Sequence, residues 1–253
     1  MLFSVFENIR SSGVQLSAVT APKNAEAVRV SEQNETSITL QWNKVSSNTS
    51  FVLQFNGTET NISAPDGDGP VNHTVSFLSA GTKYTFMLCS VFENIRSSGV
   101  QLSAVTAPKN AEAVRVSEQN ETSITLQWNK VSSNTSFVLQ FNGTETNISA
   151  PDGDGPVNHT VSFLSAGTKY TFMLCSVFEN IRSSGVQLSA VTAPKNAEAV
   201  RVSEQNETSI TLQWNKVSSN TSFVLQFNGT ETNISAPDED GPVTSINGLA
   251  VTS

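Results

Sequence analysis

Cysteine is almost absent from these 253 residues: Cys89 and Cys175 are the only two, 86 positions apart. Two thiols so placed make neither a disulfide framework nor a metal-ligand cluster. Charge is scarce as well. Asp, Glu, Lys and Arg supply 14% of the residues, and 22 acidic side chains outnumber 14 basic ones, for a net charge of −8. A nucleic acid or an acidic membrane surface would need a basic patch to displace its counterions, so neither is an expected partner. Long apolar runs are missing too. The longest, Phe86 to Phe92, is broken by Ser90 and falls well short of the roughly 18 residues of a membrane span. Met1 to Arg10 does not read as an export leader, because Glu7 and Arg10 interrupt its apolar residues and no basic start precedes them. A role outside the cell would make this chain a fragment exported by a leader that lies elsewhere. A helical period appears nowhere.

What is present is repetition. Ser4-Val5-Phe6-Glu7-Asn8-Ile9-Arg10 recurs at Ser90 and again at Ser176, a period of 86 residues. Residues 4–88 and 90–174 match without a substitution. The third copy follows through Asp238, then Glu239 stands where the first copy has Gly67, and from Thr244 onward the sequence diverges. A period of 86 residues exceeds the roughly 20–50 of solenoid units and suits a small independent domain. Identity this complete marks recent duplication or deliberate assembly.

Within one unit, period-2 alternation dominates. Ala21-Pro22-Lys23-Asn24 is a linker, stiffened by a proline that cannot donate to a ladder. Ala25 to Val30 suits a first strand and Ser31 to Thr36 a polar turn. Ser37 to Trp42 follows, with Ile38, Leu40 and Trp42 on one face. Lys44 to Ser50 is a loop. Phe51, Leu53 and Phe55 face inward on the next strand. Asn56-Gly57 is a two-residue hairpin signal, since both central positions of a type I′ turn need positive φ. Thr58 to Ser63 is a short polar strand, Ala64 to Pro70 a loop, and His73 to Leu78 a strand. A turn at Ser79-Ala80-Gly81 leads to Tyr84, Phe86 and Leu88 on a further strand. Glu93 to Gly99 is a loop, and Val100 to Val105 closes the unit. Seven short strands with turn signals every 8–12 residues predict an all-β fold, a sandwich of two antiparallel sheets.

These residues resemble the fibronectin type III family. The matching features are the opening proline, Trp42 at the end of Ser-Ile-Thr-Leu-Gln-Trp, and the third strand with Phe51 where the family usually has Tyr. The most specific is Leu78-x-x-Gly81-Thr82-x-Tyr84, similar to the family's Leu-x-Pro-Gly-Thr-x-Tyr with Ala80 in place of proline. The resemblance implies tandem seven-stranded immunoglobulin-like sandwiches. It also implies a tyrosine corner, in which the Tyr84 hydroxyl ties back to upstream backbone. The Asn- and Thr-rich texture is most similar to the ectodomain repeats of receptor-type protein tyrosine phosphatases. The phosphatase motif of Cys and Arg flanking a glycine-containing loop is absent, and Cys89 lies in strand sequence.

The expected organisation is a partial repeat at residues 1–21 (the end of strand F and strand G), complete domains at 22–107 and 108–193, and an incomplete domain at 194–253 (strands A–E). The two partial ends carry apolar faces and open strand edges, so the expectation is either self-association through them or ends that stay poorly ordered.

Asn-x-Ser/Thr sequons are the main candidate sites, read as N-glycosylation acceptors against the plainer reading of an Asn-rich surface. They fall at Asn34, Asn48, Asn56, Asn61 and Asn72, at Asn120, Asn134, Asn142, Asn147 and Asn158, and at Asn206, Asn220, Asn228 and Asn233. Asp66-Gly67-Asp68-Gly69 hints at calcium, but Phe77 sits where an EF-hand needs glutamate, and a plain turn is expected. Cys89 and Cys175 fall out of phase with Tyr84, Phe86 and Leu88. Each is a half-covered free thiol on the outer face or, in oxidising surroundings, half of an intermolecular disulfide. His73 and His159 read as surface histidines in a sequon loop, without triad partners. No metal, cofactor or catalytic group is expected. The overall expectation is a non-catalytic extracellular spacer and adhesion array on a cell-surface glycoprotein, with a protein partner that the sequence does not name. The alternative is an engineered or recently duplicated scaffold without a native ligand.

Overall fold

The computed structural model of the protein describes residues 1–15, 17–63, 67, 69–149, 155–218, 221–235 and 242–248, with the last four by backbone alone. The chain divides into two compact units, Met1–Asn110 with Ser176–Ser184, and Ala111–Cys175 with Gly185–Ser253. Strands β1 (Val5–Phe6) and β2 (Ile9–Arg10) form a small hairpin, and Leu2 bridges Val14 beside it. The first repeat then runs β3 (Glu26–Gln33), β4 (Ile38–Asn43), β5 (Ser50–Phe55), β6 (Thr58–Ile62), β7 (Val71–Val75), β8 (Lys83–Phe92), β9 (Ile95–Arg96) and β10 (Val100–Val105). The second runs β11 (Glu112–Gln119), β12 (Ile124–Asn129), β13 (Ser136–Phe141), β14 (Thr144–Ile148), β15 (Val157–Val161), β16 (Lys169–Phe178), β17 (Ile181–Arg182) and β18 (Val186–Val191). The third holds β19 (Glu198–Gln205), β20 (Ser209–Asn215), β21 (Phe223–Phe227), β22 (Thr230–Ile234) and β23 (Val243–Gly248).

Each complete repeat is two antiparallel sheets. In the first, one sheet has the order β3-β4-β7 and the other β10-β8-β5-β6, with β9 paired to the far end of β8. The inward phase of each strand is the one its alternation predicts. Ile38, Leu40, Trp42 and Phe51 are fully buried, joined by Leu53, Phe86 and Leu88. The Trp42 and Phe51 rings meet edge-on at 5.3 Å, and Phe55 stacks on Phe86 at 5.0 Å. Such pairs add stabilisation beyond the area they bury. The second repeat reproduces this core from Ile124 to Leu174. In the third, Trp214 and Val243 are buried, but Val200, Val202 and Val224 are more than half exposed.

Four local expectations are corrected. Residues 31–33 continue β3 rather than turning, because two register shifts (between Glu26 and Arg29, and between Val30 and Glu32) keep the strand paired past its polar stretch. Phe77 belongs to no strand: β7 ends at Val75, and Phe77 adopts φ 61° and stands wholly exposed. The chain bends there so that Leu78 can bury its side chain while its amide reaches the Thr36 carbonyl at 2.9 Å. The Glu93–Gly99 loop is mostly a hairpin. Strand β8 extends to Phe92, and Glu93 and Asn94 turn it back with positive φ into β9. His73 and His159 are mid-strand rather than in loops. His73 shares the inward phase of Val71 and Val75 on β7, opposite Leu40.

Candidate glycan and contact surfaces

Every described sequon asparagine is exposed; Asn220 lies outside the described residues. Their local settings differ. Asn34 sits in a turn before β4, where its Oδ1 accepts from the Thr36 and Ser37 amides at 2.9 and 2.8 Å. The Thr36 hydroxyl of the same sequon lies 3.4 Å from that oxygen. Asn120 and Asn206 repeat the arrangement. Asn48 is in the β4–β5 loop, and Asn134 in the corresponding loop of the second repeat. Asn56 opens the tight β5–β6 turn with φ 47°, as Asn142 and Asn228 do in their own copies. Asn61 lies on β6 opposite Val52, with Asn147 and Asn233 in the matching places. Asn72, on β7 rather than in a loop, accepts from Gln41 Nε2 at 2.8 Å through Oδ1. Asn158 does the same with Gln127.

The outer face of the β3-β4-β7 sheet is a polar ladder. Arg29 donates to Gln41, Gln41 to Asn72, and the Thr39 and Thr74 hydroxyls meet at 2.9 Å. On the other sheet, a shallow depression of about 510 Å³ is lined by Gln54, Asn56, Glu59, Thr85, Met87 and Gln101. Glu59 organises its rim. It takes two hydrogen bonds of 2.8 Å from the Arg96 guanidinium and one from Gln54. Those donors hold the Glu59 carboxyl at about 2, well below the usual carboxylate range, and the carboxylate raises Arg96 in turn. A glycan on Asn56 would stand at the edge of this depression, which suits a covered surface better than a small-molecule site.

The tyrosine corner forms as the resemblance implies: the Ser79 amide donates to the Tyr84 hydroxyl at 2.7 Å, and Ser165 to Tyr170 at 2.8 Å. A second anchor was not legible in the sequence. Thr106 is fully buried. Its hydroxyl donates to the Ser79 carbonyl at 2.6 Å and accepts from the Thr82 amide at 3.0 Å, while its own amide bonds the Thr82 carbonyl. Thr192 repeats each contact. The only sequence signal would have been a threonine just past the last alternating strand, two residues before a linker proline.

Cys89 and Cys175 are buried, and neither forms a disulfide. They occupy the outer phase as expected, but Cys89 is more covered than expected. It pairs in register with Val52, and Gly99 lies so close that a β-carbon there would stand 2.9 Å from the Cys89 sulfur. That cover argues against the intermolecular disulfide. Burial lowers the pKa of His73 and His159. Asp66 and Asp68 lie outside the described residues. Among the described residues, no group of three or more His, Cys, Asp or Glu could hold a metal ion, and no helix is long and apolar enough to cross a membrane.

The chain is 27% identical over 223 residues to human receptor-type tyrosine-protein phosphatase H, covering 82% of this chain and 19% of that protein. It is 28% identical over 169 residues to chicken tenascin, covering 61% of this chain and 9% of the tenascin. It thus spans a fifth or less of the length of these relatives. Among solved structures, a segment of two fibronectin type III domains from chicken tenascin aligns over 67% of this chain and all of its own length, at 20% identity and a TM-score of 0.41. The fibronectin type III domain profile matches residues 20–105 and 106–191. Two matches of full domain length, one over each complete sandwich, decide the family: this chain belongs to the fibronectin type III family.

Proposed function

We propose that this chain is a segment of an extracellular glycoprotein: a non-catalytic fibronectin type III array that spaces and presents protein-contact surfaces, of the kind carried by receptor-type tyrosine phosphatases. The observation that carries the reading is the exposure of every described sequon asparagine, five of them in each complete repeat. A merely Asn-rich sequence has no reason to keep the following Ser or Thr in register with so many exposed acceptors. Similarity to a protein named as a receptor supports the cell-surface setting. Catalysis, where the parent protein performs it, belongs to residues beyond this segment.

The test is secretion of the chain behind a leader from a eukaryotic cell, with intact mass read before and after enzymatic removal of N-glycans. The reading expects glycan mass at most sequons in both complete repeats. A second reading, a duplicated or engineered scaffold without a native ligand, is favoured by the identity of residues 4–88 with 90–174. Unmodified mass after secretion would favour that scaffold.

A further inference from the structure

We propose that the free edge of β10, and of its copy β18, pairs with the same strand of a second copy of this chain. The inference rests on the glycan reading above, because it depends on which sheet edges glycans leave open.

A two-sheet sandwich has four edge strands, and an uncovered edge is a template for another strand. Three of the four are protected here. Edge β3 carries Glu26, Arg29 and Glu32, breaks register twice, and holds Ala27 at φ 53°. Edge β6 carries Glu59 and the Asn61 acceptor, with Asn56 at its turn. Edge β7 is uncharged but carries the exposed Asn72 acceptor. The fourth, β10, reads Val-Gln-Leu-Ser-Ala-Val. It has no charge, proline, bulge or sequon, and it ends the order β10-β8-β5-β6. Its flanks are tied to the segments on either side of β3, Gly99 N to Asn24 Oδ1 at 2.8 Å and Ala107 N to Asn34 O at 3.0 Å. Between these ties no strand pairs with β10 on the side away from β8; β3 comes near it and Ala104 and Val105 are buried, while Gln101 and Ser103 stay exposed. Low charge, β-branched ends and absent proline are the composition that pairs most readily with itself.

The strand is also self-complementary. Directly opposed residues of an antiparallel pair point to the same side. Gln101 and Ser103 point outward and are exposed, whereas Val100, Leu102 and Ala104 turn inward. A two-fold pairing centred on Leu102 sets Gln101 against the other copy's Ser103 and Val100 against its Ala104. Both faces then match across the junction, and no charge opposes its own copy. A one-residue slip would put polar against apolar, so this register is favoured. One strand pair is a small contact, and tandem copies add avidity where both engage.

The test uses the full secreted chain, its glycan mass read on the same sample, in sedimentation velocity over a concentration series. Two variant sets carry lysine or glutamate at the outward positions: Q101K/S103K/Q187K/S189K and Q101E/S103E/Q187E/S189E. The wild type should associate reversibly. Each charged set alone should associate at least about tenfold more weakly, because like charges face across the junction. An equimolar mixture of the two sets should recover association, since each new ammonium then faces a carboxylate. A wild type that stays monomeric at its highest soluble concentration overturns the proposal. So does a lysine set that associates as the wild type does, because the contact then lies elsewhere, such as the exposed apolar side chains of residues 1–14. Missing glycan mass counts against the glycan reading, while the charge pattern separately decides the edge.

Discussion

Replacing Thr106 and Thr192 with valine tests whether burial, rather than the family signature, sets what holds the last strand. Valine keeps the shape of threonine and removes only the hydroxyl. In each repeat two groups lose a partner, the Thr82 amide and the Ser79 carbonyl in the first copy. A polar group stranded without a partner costs about 1–3 kcal/mol. Ser79 is exposed, so water can reach its carbonyl, and the larger share falls on the half-buried Thr82 amide. The expected loss is about 2–3 kcal/mol per repeat. For a domain of this size that lowers Tm by about 10–20 °C. Tyr84→Phe with Tyr170→Phe removes a hydroxyl that bonds the amide of exposed Ser79, and should cost only about 0.5–1 kcal/mol. Thermal unfolding of the full chain by circular dichroism compares the two pairs, and Thr106→Ser with Thr192→Ser should restore most of the loss. If the valine pair melts no lower than the phenylalanine pair, the reasoning from burial is wrong.

Further outcomes follow from the same packing. Gly99→Ala should destabilise the first repeat more than Gly57→Ala. Both need positive φ, but only at position 99 would the new β-carbon lie 2.8 Å from the Met87 sulfur; chemical denaturation should separate them by about 1–3 kcal/mol. Burial depresses the pKa of His73 and His159 below its ordinary 6.5, so the unfolded chain takes up protons first as pH falls. Stability should therefore decline below about pH 6.5, and His73→Gln with His159→Gln should flatten that part of the profile. By NMR titration Glu59 should show a midpoint at about 2 and return to the usual carboxylate range in Arg96→Gln; an unchanged midpoint would remove Arg96 as the cause. Cys89 and Cys175 should react slowly with a thiol reagent in the native protein and fast in denaturant, and equal rates would contradict their burial.

The alternation of Ile38-Leu40-Trp42, Phe51-Leu53 and Phe86-Leu88 is enough to read the sandwich and most of its core, because a strand's two faces are written directly in its sequence period. Asn56-Gly57 likewise announces its turn, since few other pairs tolerate that backbone. The sequons can be read as a pattern but not placed: Asn72 lies on a strand, in a ladder with Gln41. His73 has neighbours that look like loop residues, and only the pairing of β7 with β4 gives it an inward phase.

By itself, then, the sequence determined the repeat, the all-β class, the inward residues and the family signature around Tyr84. The repeat is read by matching residues 86 positions apart, and the other three depend on neighbours two to six positions apart. Tertiary structure decided what depends on distant partners. It closed Thr106 around the Ser79 and Thr82 backbone, laid Gly99 over Cys89, locked Arg96 onto Glu59, and left β10, among the described edges of its repeat, without charge, bulge or glycan acceptor. Those are meetings of segments that lie well apart along the chain, and local periodicity carries no record of them.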